Sequence, residues 1–228
     1  MGTLTGSNIA DRAWTKANDA TGGAATRWPT AEALMWLNDA QRAIVVQLPR
    51  ANAVRATPTV VAGTRQTLAG LGLTTGIGII DIKANYNAAG TTRGRAIVKS
   101  EKSYFDDALP GWHAETGTEA KHWFYDDTDP LAFYIWPAIT GASGKLEIIY
   151  PALPTDLAAI GNTISLGDEY AEAMQMYLLY SFFSKDATYA KSPQLATTCY
   201  DMFQGLLGIR GKNLAGGDSA TDAKALGA

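Results

Sequence analysis

The chain has 228 residues, 46% of them hydrophobic, and a formal net charge of −3, which is enough apolar length for one domain with an insertion or for two small ones. The mild acidity excludes a protein that grips nucleic-acid phosphates from outside, since that needs a basic excess. A single cysteine, Cys199, excludes an intrachain disulfide framework and a thiolate zinc cluster and fits folding in a reducing cytoplasm.

The first residues, Met1 to Trp14, hold no apolar h-region, and no run of about 18 apolar residues occurs anywhere, so neither a signal peptide nor a membrane span is expected. Residues Ser7 to Ala20 predict a short helix, capped by Ser7, striped by Ile9, Ala13, Trp14 and Ala17, and stopped by Gly22-Gly23. A second helix is predicted after Pro29, with Thr30 as its cap. Leu34, Leu37, Ile44, Val45 and Leu48 recur at helical spacing up to Pro49.

From Thr57 to Ser165 the pattern changes to short β-type runs broken by Gly, Pro, Asn and Asp. Ile80 and Ile82 alternate with Asp81 and Lys83, and Leu146, Ile148 and Tyr150 alternate with Glu147 and Ile149, the period of a strand. Phe133-Tyr134-Ile135-Trp136 is apolar on both faces and needs cover on each, from a sandwich, a helix or a neighbouring subunit. Turns or loop tips are expected at residues 70–76, 85–92 and 140–144.

Helical character returns at Asp168. Tyr170, Ala173, Met174, Tyr177, Leu178 and Phe182 cover a face broader than one core contact requires, which predicts packing on two sides. A last helix is expected from about Pro193 to Gly208, carrying Leu195, Cys199, Met202, Phe203, Leu206 and Leu207. Residues 211–228 are rich in Gly, Ala and Asp with few apolar anchors, and composition predicts a flexible arm there. The whole reads as α+β. Residues 1–55 and 167–210 supply the helices of a bundle, and residues 56–166 form a β-rich, sandwich-like insertion.

No catalytic pattern survives inspection, and no cofactor is expected. Gly141-Ala-Ser-Gly144-Lys145 has two residues between its glycines, where a phosphate loop has four, and lacks Ser or Thr after the Lys. Gly70, Gly72 and Gly76 miss the dinucleotide fingerprint and precede a strand. His113, Glu115, His122, Asp126 and Asp127 match no metal-ligand spacing, and the histidines read as polar packing beside Trp112 and Trp123. Asp106-Asp107 and Asp126-Asp127 suit turns and caps better than an acid pair across a cleft. Cys199 sits in an apolar stripe, where a thiol is inert, and no Gly-x-Ser-x-Gly elbow occurs. The tryptophans Trp28, Trp36, Trp112, Trp123 and Trp136 stand where core or subunit contacts are expected.

Several stretches in order resemble the head-to-tail adaptor proteins of tailed bacteriophages. They are Trp36-Leu-Asn-Asp-Ala-Gln-Arg42 with Pro49, Ala62-Gly-Thr-Arg-Gln-Thr-Leu68, Ile79-Ile-Asp-Ile82 with Asn85, Gly94-Arg95 and Leu109-Pro-Gly-Trp-His113. Tyr125-Asp126, Asp129-Pro130, Phe133-Tyr-Ile-Trp-Pro137, Leu146-Glu-Ile-Ile-Tyr150 with Pro154, and Tyr177-Leu-Leu-Tyr180 with Ser184-Lys-Asp186 complete the set. The resemblance implies a structural protein of the virion neck, made in the host bacterial cytoplasm, with about twelve copies in a ring beneath the portal. Such a ring extends the DNA channel and receives the tail or nozzle protein, while double-stranded DNA passes without specific binding and no membrane is involved.

A ring subunit buries apolar surface laterally, and Tyr170, Met174, Tyr177 and Phe182, with Trp136 in the insertion, are the candidate interface residues. Twelve copies at −3 each carry a formal charge of about −36, which favours free passage of DNA. The resemblance also implies a C-terminal extension that docks on the portal, with Arg210, Lys212, Leu214 and Leu226 as its contacts. The rival readings are a minor capsid or tail-tube protein, and a carbohydrate-binding or carbohydrate-hydrolysing tail component with two facing carboxylates in an aromatic-lined cleft.

Overall fold

The computed structural model describes residues 2–19, 27–140, 144–186 and 191–225, with the backbone alone described from residue 213 on. The chain divides into two compact units, residues 1–51 with 154–228, and residues 52–153.

The first helix, α1, spans Gly6–Lys16. Its start is set by a reciprocal cap at Thr5, two residues before the expected Ser7. The Asn8 N–H donates to the Thr5 hydroxyl, and the Thr5 N–H donates to Asn8 Oδ1, satisfying donors that a helix start leaves free. Ser7 bonds outward instead, its N–H and hydroxyl both meeting the Ile160 carbonyl. Helix α2, Thr30–Gln47, begins after an extended Pro29, with Thr30 as its first residue and not its cap. Leu37, Ala40, Ile44 and Val45 are buried along it. Its end falls where expected, because Pro49 cannot supply the N–H to continue.

Helix α4 (Ala171–Lys185) follows the 3-10 turn Asp168–Tyr170 and packs against α1, α2 and the last helix, α5 (Ser192–Ala225). Three helical neighbours in the same unit account for the breadth of its apolar face. Helix α5 does not stop at Gly208. Gly208 and Gly211 both lack the left-handed φ that ends a helix, and adding residues to an existing helix requires no new nucleus. The expected flexible arm is therefore helical backbone as far as Ala225.

The expected insertion also proves shorter at its C-terminal side. The stretch 154–166 belongs to the helical unit, with Leu157, Ile164 and Leu166 buried. Two amides on α2 hold it: Asn38 bonds both the N–H (2.8 Å) and the carbonyl (3.2 Å) of Leu157, and Gln41 accepts from the Ser165 N–H at 2.9 Å. Such long-range side-chain anchoring leaves no periodic trace in the sequence.

The β-rich unit contains β1 (Ala53–Ala56), β2 (Arg65–Thr67), β3 (Asp81–Tyr86), β4 (Arg93–Ala96), β5 (Val98–Lys99), β6 (Thr116–Gly117), β7 (His122–Tyr125), β8 (Ala132–Trp136), β9 (Ala138–Ile139) and β10 (Lys145–Pro151), with helix α3 (Lys102–Ala108) between β5 and β6. Two four-stranded sheets, β1-β10-β3-β4 and β2-β8-β7-β5, enclose one core, and β6 pairs with β9 in parallel. Ile82, Leu146 and Ile148 from the first sheet share that core with Trp123, Phe133 and Ile135 from the second. Each such side chain stabilises the unit by about 1.5–3 kcal/mol relative to exposure. Asn85 and Tyr86, expected in a loop, extend β3, and the turn lies at residues 87–92 with Gly90 at φ 75°. The predicted tip at residues 140–144 falls largely outside the described residues.

The two-faced strand β8 receives cover on both sides within its own unit. Phe133 and Ile135 face the sandwich core, while Tyr134 and Trp136 pack with Phe105 of α3, Trp112 and Phe124 in a second cluster. The fold is α+β, as the alternation of helical and strand periods predicts.

Candidate functional site

The acidic candidates are engaged in local structure. Asp106 accepts from Lys102 Nζ at 2.8 Å and from the Trp112 indole at 2.9 Å, and these bonds hold its carboxyl below the usual range. Asp126 accepts from the Thr128 hydroxyl and N–H and from Arg65, and its carboxyl is held down in the same way. Asp107 and Asp127 are exposed. Among the described residues, the single buried carboxylate of the β unit is Glu147 on β10, set between Arg55 of β1 at 3.0 Å and Arg93 of β4 at 3.3 Å. Its two ion pairs tie both edge strands, β1 and β4, to the middle of the sheet.

His113 stacks on Trp112 with ring centroids 3.6 Å apart and shares a hydrogen bond with the Thr64 hydroxyl at 2.9 Å. His122 bonds Ser100 through Nδ1 at 2.8 Å and lies beside Trp136, not Trp123, with burial pushing its pKa down. No group of three or more His, Cys, Asp or Glu among the described residues is placed to hold a metal ion. Burial pushes the Cys199 thiol up, the direction of an inert thiol.

A cleft of about 70 Å³ beside Glu169, Glu172 and Arg210 is too small for a sugar, and two others have the size of a small-ligand site. One, of about 380 Å³, is lined by Asn85, Tyr86, Arg93, Thr118 and Glu119 among others. The other, of about 500 Å³, lies between α4 and α5, lined by Tyr180, Phe183, Asp186, Pro193 and Tyr200 among others. Each contains one carboxylate, and Asp186 is bound to Arg27 and Ser192. Neither brings two acids face to face, the geometry glycoside hydrolysis requires.

The candidate interface residues separate into two groups. Tyr170, Met174 and Phe182 are buried in the core of the helical unit, so their apolar surface is already covered within one chain. Phe182 is boxed by Trp14, Trp28 and Trp36 at centroid distances of 6.4, 4.9 and 5.7 Å. Tyr177 is half-buried and joins Tyr180, Tyr200 and Phe203 in a cluster that bonds α4 to α5. Trp136 is also half-buried, and its indole donates to Glu115 at 3.1 Å.

Of the candidate portal contacts, Arg210 and Lys212 are exposed on α5, and Arg210 reaches the Glu169 carbonyl at 3.4 Å. Leu214 lies on helical backbone whose side chains are not described, and Leu226 is outside the described residues. Among the described residues, the most exposed apolar side chains of the helical unit are Met35 and Val46 on α2 and Met202 and Ile209 on α5, and the sequence singled out none of the four as an interface residue. The signal available for α5 is the seven-residue interval linking Leu195, Met202 and Ile209.

No helix among the described residues is long and apolar enough to cross a membrane. No curated protein matches the chain significantly. A family model described as SU10 adaptor protein matches residues 4–225, a span that includes both structural units. The chain belongs to the SU10 adaptor protein family, a family of phage adaptor proteins.

Proposed function

We propose that the protein is a non-enzymatic structural adaptor of the virion neck, about twelve copies of which form a ring beneath the portal, extend the DNA channel and receive the tail or nozzle protein. The observation that carries this reading is the family match across both units. The chemistry of the chain agrees with it, because the acidic and histidine candidates serve in a turn, in ion pairs and in ring contacts. An acidic chain at −3 per copy lines a channel without holding the phosphates that pass through it. Portal docking is assigned to the C-terminal part of α5, the stretch of helix that follows Lys212.

The test is the mass and shape of the assembled protein. Twelve copies of a 24.2 kDa chain give about 290 kDa, which mass photometry reads directly, and negative-stain images should show rings with a central channel. Added portal-containing capsids should bind the rings at one vertex. A protein that stays monomeric at every concentration, or that binds along the tail tube, contradicts this assignment. Activity against peptidoglycan, capsular polysaccharide or nucleotides that disappears on changing Asp106, Asp107, Asp126 or Asp127 contradicts the non-enzymatic part.

A further inference from the structure

Among the described residues, every large apolar side chain exposed on the helical unit lies on α2 or α5. On α2 these are Met35 at 57% and Val46 at 64% exposure. At the helical turn of 100° per residue they fall on one line, three turns apart, pointing away from the buried Leu37, Ala40 and Ile44. On α5, Leu195, Met202 at 54% and Ile209 at 61% recur every seven residues. That spacing puts them on one flank, about a quarter-turn from the buried Cys199, Phe203 and Leu207.

The two stripes do not cover each other within one chain. Helix α4 packs on both α2 and α5, and no comparable contact joins α2 to α5 among the described residues. The α5 stripe has a further property of a helix seam. Gly205 lies between Met202 and Ile209 on the same flank, and a Cβ placed there would meet nothing within 4 Å. Glycine is a poor helix former, and nothing inside the unit needs the room it leaves. Between two large side chains it forms the notch that a neighbouring helix can enter.

The charges beside the stripes are opposite in sign. Along the α2 line, Asp39 and Asp156 share the single guanidinium of Arg42, leaving one surplus carboxylate on an exposed surface. The α5 flank ends in exposed Lys212.

We propose that the Leu195–Met202–Ile209 flank of α5 in one copy seats on the Met35–Val46 line of α2 in the next. This rests on the ring reading above and names its lateral surfaces. The contact is heterologous: it joins two unlike patches, so each copy donates one and receives on the other, and the series closes by rotation. An isologous dimer built on either patch alone would leave the second stripe in water.

The experiment uses two full-length variants, Met202→Asp on α5 and Met35→Asp on α2. Both positions are exposed, so each variant should keep the circular dichroism and melting profile of the wild type. Each alone should run as a monomer by mass photometry where the wild type forms rings. Mixed in equal amounts, they should form heterodimers of about 48 kDa, because one intact α2 line then faces one intact α5 flank. Rings formed by either variant alone, a homodimer of one variant, or a mixture that stays monomeric would each overturn the proposed pairing while leaving the wild-type ring in place. A wild type that never assembles removes the ring reading itself, and this inference with it.

Discussion

Trp28 meets Phe182 at two points. The indole stacks on the phenyl ring with centroids 4.9 Å apart and planes 10° from parallel, and its Nε1–H donates to the Phe182 carbonyl at 2.9 Å. That carbonyl lies in the last turn of α4, where the helix has no N–H of its own to offer. The residue that leads into α2 thus closes the end of α4. Trp14 extends the arrangement by donating to the Trp28 carbonyl at 3.0 Å.

Trp28→Ala should destabilise the helical unit by about 3–5 kcal/mol, through lost burial and the cavity left behind. Trp28→Phe retains a ring but strands the Phe182 carbonyl, at a cost of about 1–3 kcal/mol. Urea unfolding of the two variants reads both numbers. Equal losses would mean that the hydrogen bond, and not the stacking, holds the site.

Asn85 plays the corresponding part in the β unit. Its side chain donates to the carbonyls of Ala120 at 2.7 Å and Arg95 at 3.1 Å, and accepts from the Ala120 N–H at 2.9 Å. Asn85→Ala should leave those buried backbone groups without partners and cost about 1–3 kcal/mol. Amide exchange at Ala120 should rise with it. Unchanged protection at Ala120 would show that another group had replaced the side chain.

Asp168 sets an acid limit on stability. Its carboxyl accepts from the Thr3 hydroxyl and from the N–H groups of Leu4 and Thr3, which together hold it below the ordinary carboxylate range. A depressed folded-state pKa contributes stability above the unfolded-state value, about 4, and the contribution disappears as pH falls through the folded value. The stability gap between wild type and Asp168→Asn should therefore be widest near neutral pH and narrow below about pH 4. A gap that stays constant from pH 7 to pH 3 would contradict the assignment.

Tyr177 and Met202 separate folding from assembly. Tyr177 packs half-buried against Phe203 at 5.3 Å, so Tyr177→Asp should weaken the α4–α5 contact within one chain by about 2 kcal/mol or more. Met202→Asp changes an exposed position and should move monomer stability by no more than about 0.5 kcal/mol. Chemical denaturation of the monomeric forms makes the comparison. The reverse order would exchange their roles.

Truncation after Lys212 removes helical backbone beyond the last side chains described in the core of the unit, Phe203 and Leu207. The shortened protein should melt within a few degrees of the full chain and still form rings, but it should lose association with portal-containing capsids. Undiminished binding would move the portal contact elsewhere on the subunit.

Local pattern was sufficient wherever an element's neighbours follow from its own period. The spacing of Leu37, Ile44 and Val45 determined α2, and the alternation around Ile82 and Ile148 determined β3 and β10, because one buried face per element imposes a period of 3.6 or 2. The ordered motifs from Trp36 to Asp186 also carried the family resemblance. Composition misjudged residues 211–225, since helix propagation depends on the turn already formed at Phe203 and Leu207 as well as on the residues added.

What tertiary structure alone decided was which apolar surface is spare. Tyr170, Met174 and Phe182 look like an outer face because α4 is apolar on nearly every side, yet α1, α2, α5 and the tryptophans around Phe182 cover them. Met35 and Met202 carry no stronger signal than their buried neighbours, yet they point to water. Periodicity assigns side chains to a face of a helix; whether that face meets a partner depends on contacts between residues far apart in the chain, and no local spacing encodes them.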